Sequence, residues 1–221
     1  AAARRLYAAR PDDALALLLA HSDPALELVG VTTVGGNVAL DNTTRNAREL
    51  REHMGFTEVP IASGAAGPLV REAKNAAEVH GPGGIGDVIL PPANLPLDPR
   101  SAVDLIIEIL RDSPGEIHLV ATGPMTNIAL ALRKEPRVAE WAASFVIMGG
   151  SFTRGNTTPA AEFNIYADPE AAALGFALVQ GPAHGQLTLD AQGHWRYTPD
   201  ADWNGVDGFT VQVDDGRFSA P

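Results

Sequence analysis

The chain has 221 residues, 45% apolar and 19% charged, a mix that suits one or two folded domains and excludes a disordered polymer. No apolar run is long enough to cross a bilayer. Sixteen basic against 27 acidic residues leave a net charge of −11, which repels nucleic acid and anionic lipid and suits neutral small molecules, sugars or cations, and the absence of cysteine excludes disulfides and thiolate metal sites.

The first residues, Ala-Ala-Ala-Arg-Arg, lack a methionine and an apolar signal core, and the chain reads as a fragment. Pro11-Asp12-Asp13 predicts a helix start, with acids complementing the helix dipole and Leu15, Leu18 and Leu19 forming the apolar face. No apolar strand is expected before it. Residues 28–34 are β-branched and apolar throughout, as in a strand buried on both sides of a parallel sheet. Asp41 predicts a cap for a helix running to Met54 with Gly55 as its stop, and 59–62 a short strand. Asp98-Pro99 predicts the start of a helix with Val103, Ile106, Ile107 and Leu110 on one side. A strand over 117–121, a helix carrying Met125, Ile128, Ala129 and Leu132, a strand over 145–148 and a helix opened by Asp168-Pro169-Glu170 follow. This alternation predicts an α/β domain over 1–174 with an open, mostly parallel sheet. Over 175–221, Leu187 and Leu189, Trp195 and Tyr197, and Phe209, Val211 and Val213 alternate with polar residues between turn formers, predicting a small antiparallel, sandwich-like β module.

Polar clusters fall at predicted strand ends, where open parallel sheets bind ligands. They are Asp12-Asp13, Gly35-Gly36-Asn37, the 122–127 turn, and Met148-Gly149-Gly150 followed by Asn156, Glu162, Phe163 and Asn164. Carboxylates and amides without a basic cluster suit a hydroxyl-rich neutral ligand, and hard oxygen donors suit calcium or magnesium. Taken singly, each has a plainer reading. Asp12 and Asp13 can serve a helix dipole, Asn37 a turn, and His80, like His21, His53 and His118, a loop or surface position. The glycines of 81–86 suggest a phosphate loop, but no strand leads into them and no helix follows.

Read together, Asp-Asp-Ala-Leu-Ala-Leu (12–17), Val-Thr-Thr-Val-Gly-Gly-Asn (31–37), Thr-Arg-Asn-Ala (44–47), His-Gly (80–81), Ala-Thr-Gly-Pro-Met-Thr-Asn-Ile-Ala (121–129) and the whole of 148–171 resemble the inosine-uridine preferring nucleoside hydrolases. The resemblance covers 12–174, about the first half of a full-length member. It implies cleavage of a ribonucleoside N-glycosidic bond by water, with calcium gripping the ribose hydroxyls and the attacking water. It further implies that Asp13 and the Thr122 carbonyl ligate calcium, that Asp12, Asn37, Asn156, Glu162 and Asn164 line the ribose, and that His80 lies on a loop near the base. Ala8 stands where the family carries its general base, and the family's later aspartate ligand and leaving-group histidine belong to its second half, so impaired turnover is expected.

The tail, through 181–189, 197–200 and 203–216, resembles cadherin-like repeats of bacterial surface proteins, of the VCBS and tandem-95 type, which are often calcium-associated spacers. A second reading therefore stands beside the first: a non-catalytic surface or structural protein with a relic hydrolase half. The hydrolase half implies a cytoplasmic location, the tail a secreted or cell-surface one. A sheet lacking its first strand predicts exposed edges and self-association.

Overall fold

The computed structural model describes residues 3–7, 11–151, 153–174, 176–180, 184–189, 195–202 and 210–213. Five strands form the main sheet: β1 (Ala3–Tyr7), β2 (Leu26–Thr33), β3 (Ile61–Ser63), β4 (Ile117–Ala121) and β5 (Ala142–Ile147). Their order is β3-β2-β1-β4-β5, and every neighbouring pair is parallel.

β1 corrects the expectation that no strand precedes Asp12. Leu6 pairs with Gly30 of β2 on one side and Leu119 of β4 on the other, so β1 is the centre of the sheet. The sequence Ala-Arg-Arg-Leu-Tyr lacks the apolar run of a buried parallel strand. Its place is set by the neighbours: β2 and β4 each present a row of backbone donors and acceptors toward the gap, and a strand there satisfies both.

The helices cover both faces. α1 (Pro11–Ser22) and α2 (Leu40–Met54) lie on one, where Leu17, Ala20 and Ala47 pack with Val31, Ile61 and Val120. The single turn α3 (Ala77–His80) follows β3. α4 (Ala102–Asp112), α5 (Thr126–Lys134) and the short α6 (Val138–Trp141) build the other face, where Ile106, Leu110, Ile128 and Leu132 pack on Ile117 and Leu119. Two further one-turn helices, α7 (Phe163–Ala167) and α8 (Pro169–Ala172), follow β5.

Three helix expectations change in detail. Among the described side chains of α1 the buried ones are Asp13, Leu17 and Ala20, while Leu15 and Leu19 are 69% and 64% exposed. The stretch Ala-Leu-Ala-Leu-Leu-Leu-Ala is apolar all round, so its periodicity does not say which side faces the sheet. α4 starts at Ala102 rather than at Asp98-Pro99, because Ser101 is the cap and its hydroxyl accepts from the Asp104 amide at 3.1 Å. Asp98 instead holds Arg100 through two 2.7 Å contacts, which keep its carboxyl below the usual range. At α2, Asp41 lies in the first turn after the cap residue Ala39, and Gly55 ends the helix in the left-handed region as expected.

In the tail, β6 (Phe176–Gln180) pairs antiparallel with β9 (Thr210–Val213), and β7 (Gly185–Leu189) with β8 (Trp195–Pro199), placing Leu187 opposite Tyr197 and Leu189 opposite Trp195. The turn formers at Gly193, 204–205, 207–208 and 215–216 lie outside the described residues.

The loops at the carboxyl ends of the strands pack without slack. A side chain at Gly35 would collide with the Ala66 carbonyl, and one at Gly64 with the Asn127 amide and the Thr33 carbonyl. Asn127 is the clamp there: its Nδ2 donates to Thr33 O and its Oδ1 accepts from the Ala65 amide, both at 2.9 Å. Gly64→Ala is expected to cost about 1–3 kcal/mol, the usual range for overpacking, read as a lower urea midpoint at unchanged slope.

Candidate functional site: the carboxyl edge of the parallel sheet

The strand order reverses between β1 and β4, and open α/β sheets bind ligands in the crevice outside the strand ends at such a point. Four connections meet there: the first turn of α1 after β1, residues 34–38 after β2, 122–125 after β4 and 148–150 after β5.

Asp13, Gly36, Asn37, Asn46, Gly84 and Gly123 are among the residues lining a cavity of about 20 Å³, room for a single water. Asn37 is buried, and its carbonyl accepts from the Ala76 amide at 2.8 Å. Its side-chain Nδ2 is buried with no hydrogen-bond partner among the described residues. The glycine loop 81–86 contributes Gly84 to the cavity wall. Asn42 Nδ2 donates to Pro82 O at 3.1 Å and Asn46 Nδ2 to Gly83 O at 2.8 Å, which brings Gly84, at φ +83°, against Val38.

Beside this cavity lies a second polar group. Asn164 Nδ2 donates to Thr122 O and to Met148 O, each at 2.9 Å, tying the end of β4 to the end of β5. Glu162 caps α7: its Oε2 accepts from the Asn164 amide at 2.8 Å and the Ile165 amide at 3.3 Å. Its Oε1 is buried and, among the described residues, without a partner. The exposed Asn156 accepts from the Phe163 amide at 2.8 Å, so it too stands at the start of α7. Thr122 adjoins Gly123 and Pro124, which line the cavity, and through them the two groups become one rim.

The structure thus gathers Asp13 and Asn37 on the cavity wall and Thr122, Asn156, Glu162 and Asn164 beside it. Asp12 lies in the first turn of α1, and Ala8 falls outside the described residues. His80 belongs to neither group; it ends α3, and its carbonyl accepts from the Gly86 amide at 2.9 Å.

Sequence reasoning missed Asp168 as anything but a helix start. It is 1% exposed, and its Oδ2 accepts from Thr126 Oγ1 at 2.6 Å and the Leu69 amide at 3.0 Å, while its Oδ1 caps α8 through the Ala171 amide. One carboxylate therefore joins the turn after β4, the strap 64–76 and the α7–α8 pair. Outside it, Arg71 holds Glu170 at 2.8–2.9 Å, and Lys74 donates to the Tyr166 hydroxyl at 2.7 Å. The Arg71 hydrogen bond holds Glu170 below the ordinary carboxylate range, and Lys74 lowers the Tyr166 phenol.

Calcium takes six to eight oxygen ligands, several of them carboxylates. Among the described residues no three His, Asp or Glu side chains converge, and Asp13 with the Thr122 carbonyl is too small a donor set. The described residues by themselves do not fit that ion.

A doubly wound parallel sheet with an amide- and carboxylate-rich rim at its switch point defines an α/β protein of open-sheet type with a candidate ligand site. More closely, the chain belongs to the inosine-uridine preferring nucleoside hydrolase family, which its residues 9–206 match and which is generally calcium-dependent. It is 47% identical over 167 residues to the inosine-uridine preferring nucleoside hydrolase of Leishmania major, covering 75% of this chain and 53% of that one. It is 45% identical over 167 residues to uridine nucleosidase 1 of Arabidopsis thaliana, covering 75% and 50%. Among solved structures, the purine-preferring ribonucleoside hydrolase from Gardnerella vaginalis superposes with a TM-score of 0.74 at 35% identity, over 77% of this chain and 56% of that one. The chain spans about half the length of the curated relatives it matches.

The Arg71–Glu170 clamp has a defined pH signature. Because Glu170 has a depressed pKa when folded, its contribution is complete above the ordinary carboxylate pKa and is lost as pH falls through the depressed value. The stability gap between the protein and Glu170→Gln is therefore expected at neutral pH and should close in acid, as read by urea titrations from pH 7 to 3.

Proposed function

We propose that this rim binds the ribose of a ribonucleoside, as part of a site that hydrolyses the N-glycosidic bond. The observation that carries the reading is the pair of buried polar atoms left over at the rim: Asn37 Nδ2, a donor, and Glu162 Oε1, an acceptor, neither with a partner among the described residues. A buried polar group left unmade costs about 1–3 kcal/mol. A sugar hydroxyl accepts from the amide and donates to the carboxylate, so a polyol answers both.

Asp13 is this chain's acidic contribution to the cavity, and the Thr122 carbonyl its neighbour beside Asn164. Hydrolysis also needs a base for the attacking water, and Ala8 stands at the position the family uses for it. The chain is thus a ribose binder with impaired turnover.

Binding of inosine and uridine, followed by calorimetry with and without calcium, tests the first half of the reading. Asn37→Ala and Glu162→Gln are each expected to weaken binding roughly tenfold, the worth of one buried hydrogen bond to a polar ligand group. No binding of either nucleoside sinks the proposal. Ala8→Asp is expected to raise release of free base about 10²–10⁴-fold, the usual contribution of a positioned base. No gain would mean that the missing base does not limit the rate.

The antiparallel pairs β6–β9 and β7–β8 favour a second reading for the tail, a cadherin-like spacer attached to a ribose-binding half. Removal of 175–221 leaves nucleoside binding intact under that reading and abolishes it if those strands belong to the site.

A further inference from the structure

Without cysteine, the sulfur chemistry of this chain falls to three methionines, and they are placed very differently. Met125 is 3% exposed at the start of α5, and Met54 is half-buried at the end of α2. Met148 is 43% exposed, immediately after β5 at the rim. Its Sδ lies 3.1 Å from Asn164 Nδ2, the same atom that donates to the Met148 and Thr122 carbonyls. Three acceptors thus surround an amide nitrogen that carries two hydrogens, and the thioether is the weakest of them.

We propose that Met148 is an oxidation site that controls the position of Asn164, its oxidant a small two-electron peroxide. In the step, a sulfur lone pair attacks one oxygen of hydrogen peroxide. The S–O bond forms as the O–O bond breaks, and the second oxygen leaves with the hydrogens as water. Sulfur loses two electrons and peroxide gains them; a methionine sulfoxide reductase reverses the change.

The consequence follows from the contact. A sulfoxide oxygen is a strong, charge-bearing acceptor, set one bond further out than the sulfur. Placed beside Asn164 Nδ2, it outcompetes one of the two carbonyls for an amide hydrogen and turns or displaces the side chain. Because the Asn164 backbone amide donates to Glu162 Oε2, displacement also disturbs the cap of α7. Met148 is the most exposed of the three methionines and stands open to a small peroxide, whereas Met125 is shielded within the core. The effect on a nucleoside rests on the ribose-binding reading; the oxidation and the movement of Asn164 do not.

The experiment exposes the full chain to graded hydrogen peroxide. Peptide mass mapping follows oxygen uptake at each methionine, and the Asn164 side-chain amide resonances, assigned with Asn164→Asp, report its position. Met148 is expected to gain oxygen first, the Asn164 resonances to move in step with it, and sulfoxide reductase to restore them. Met148→Gln, whose side-chain carbonyl imitates the sulfoxide oxygen, is expected to shift the same resonances without peroxide, and Met148→Leu to make them insensitive to it. Inosine affinity should fall roughly tenfold on oxidation, the loss of one polar contact. Oxidation of Met54 or Met125 before Met148, or unmoved Asn164 resonances with Met148 fully oxidised, overturns the proposal. If untreated protein binds no nucleoside, the ribose-binding reading fails while mass and resonance still decide this one.

Discussion

Asn164 donates from one side-chain nitrogen to the carbonyls of Thr122 and Met148, the first residues beyond β4 and β5. Parallel strands exchange hydrogen bonds only along their length, and where the ladder ends the next carbonyls need other donors. A buried amide in that place fixes the separation of the two strand ends. It also fixes α7, on which Asn164 sits, and with it the carboxylate of Glu162. A helix of five residues has no stability of its own in water. Its form here depends on side chains at its two ends: Asn156 and Glu162 at the start and Asp168 just past the finish.

Asp168 extends the same logic. Its three donors come from α5, the strap and α8, so the turn after β4 and the segment after β5 are set against one reference. The strap in turn reaches Asn37 through the Ala76 amide. A chain of short hydrogen bonds therefore runs from the loop after β2, through the strap, to the helix that carries Glu162 and Asn164. Close backbone approach at Gly35 and Gly64 leaves that chain little room to shift. The rim is held by buried polar groups together with a small apolar cluster of Ala76, Phe163 and Ala167 that packs the strap against α7, and the polar groups set where donors and acceptors stand.

Much of this was legible in the residue order. The alternation of apolar strands with amphipathic helices carries the α/β class, while Asn156, Glu162 and Asn164 stand out only through the family resemblance of 148–171, since taken singly each reads as an ordinary surface polar group. β1 was not legible, because its pairing is dictated by β2 and β4 rather than by its own side chains. The outward face of α1 was hidden by leucines on all sides. Asp168 shows in the sequence only as a helix start, since residue order reveals that an aspartate can cap but not that its other oxygen is reached by Thr126 and Leu69 from distant segments. The residue order points to Asp98-Pro99 as the start of α4 because it does not show that Asp98 is occupied by Arg100, which leaves the cap to Ser101.

The hydrogen-bond sense of the two leftover atoms narrows the ligand further than their presence does. Asn37 Nδ2 needs an acceptor and Glu162 Oε1 needs a donor. An ionised phosphate offers acceptors only; it would leave the carboxylate unanswered and meet its charge. An ammonium offers donors only and would leave the amide unanswered. A hydroxyl does both, and a vicinal diol does so at two positions with no net charge to desolvate. The chain's excess of acid works in the same direction, since it disfavours an anionic sugar phosphate at long range and is indifferent to a neutral sugar. Under the ribose-binding reading, preference for a nucleoside over its nucleotide thus arises from the polarity of two atoms and the sign of the surrounding field, before any contact with the base is considered.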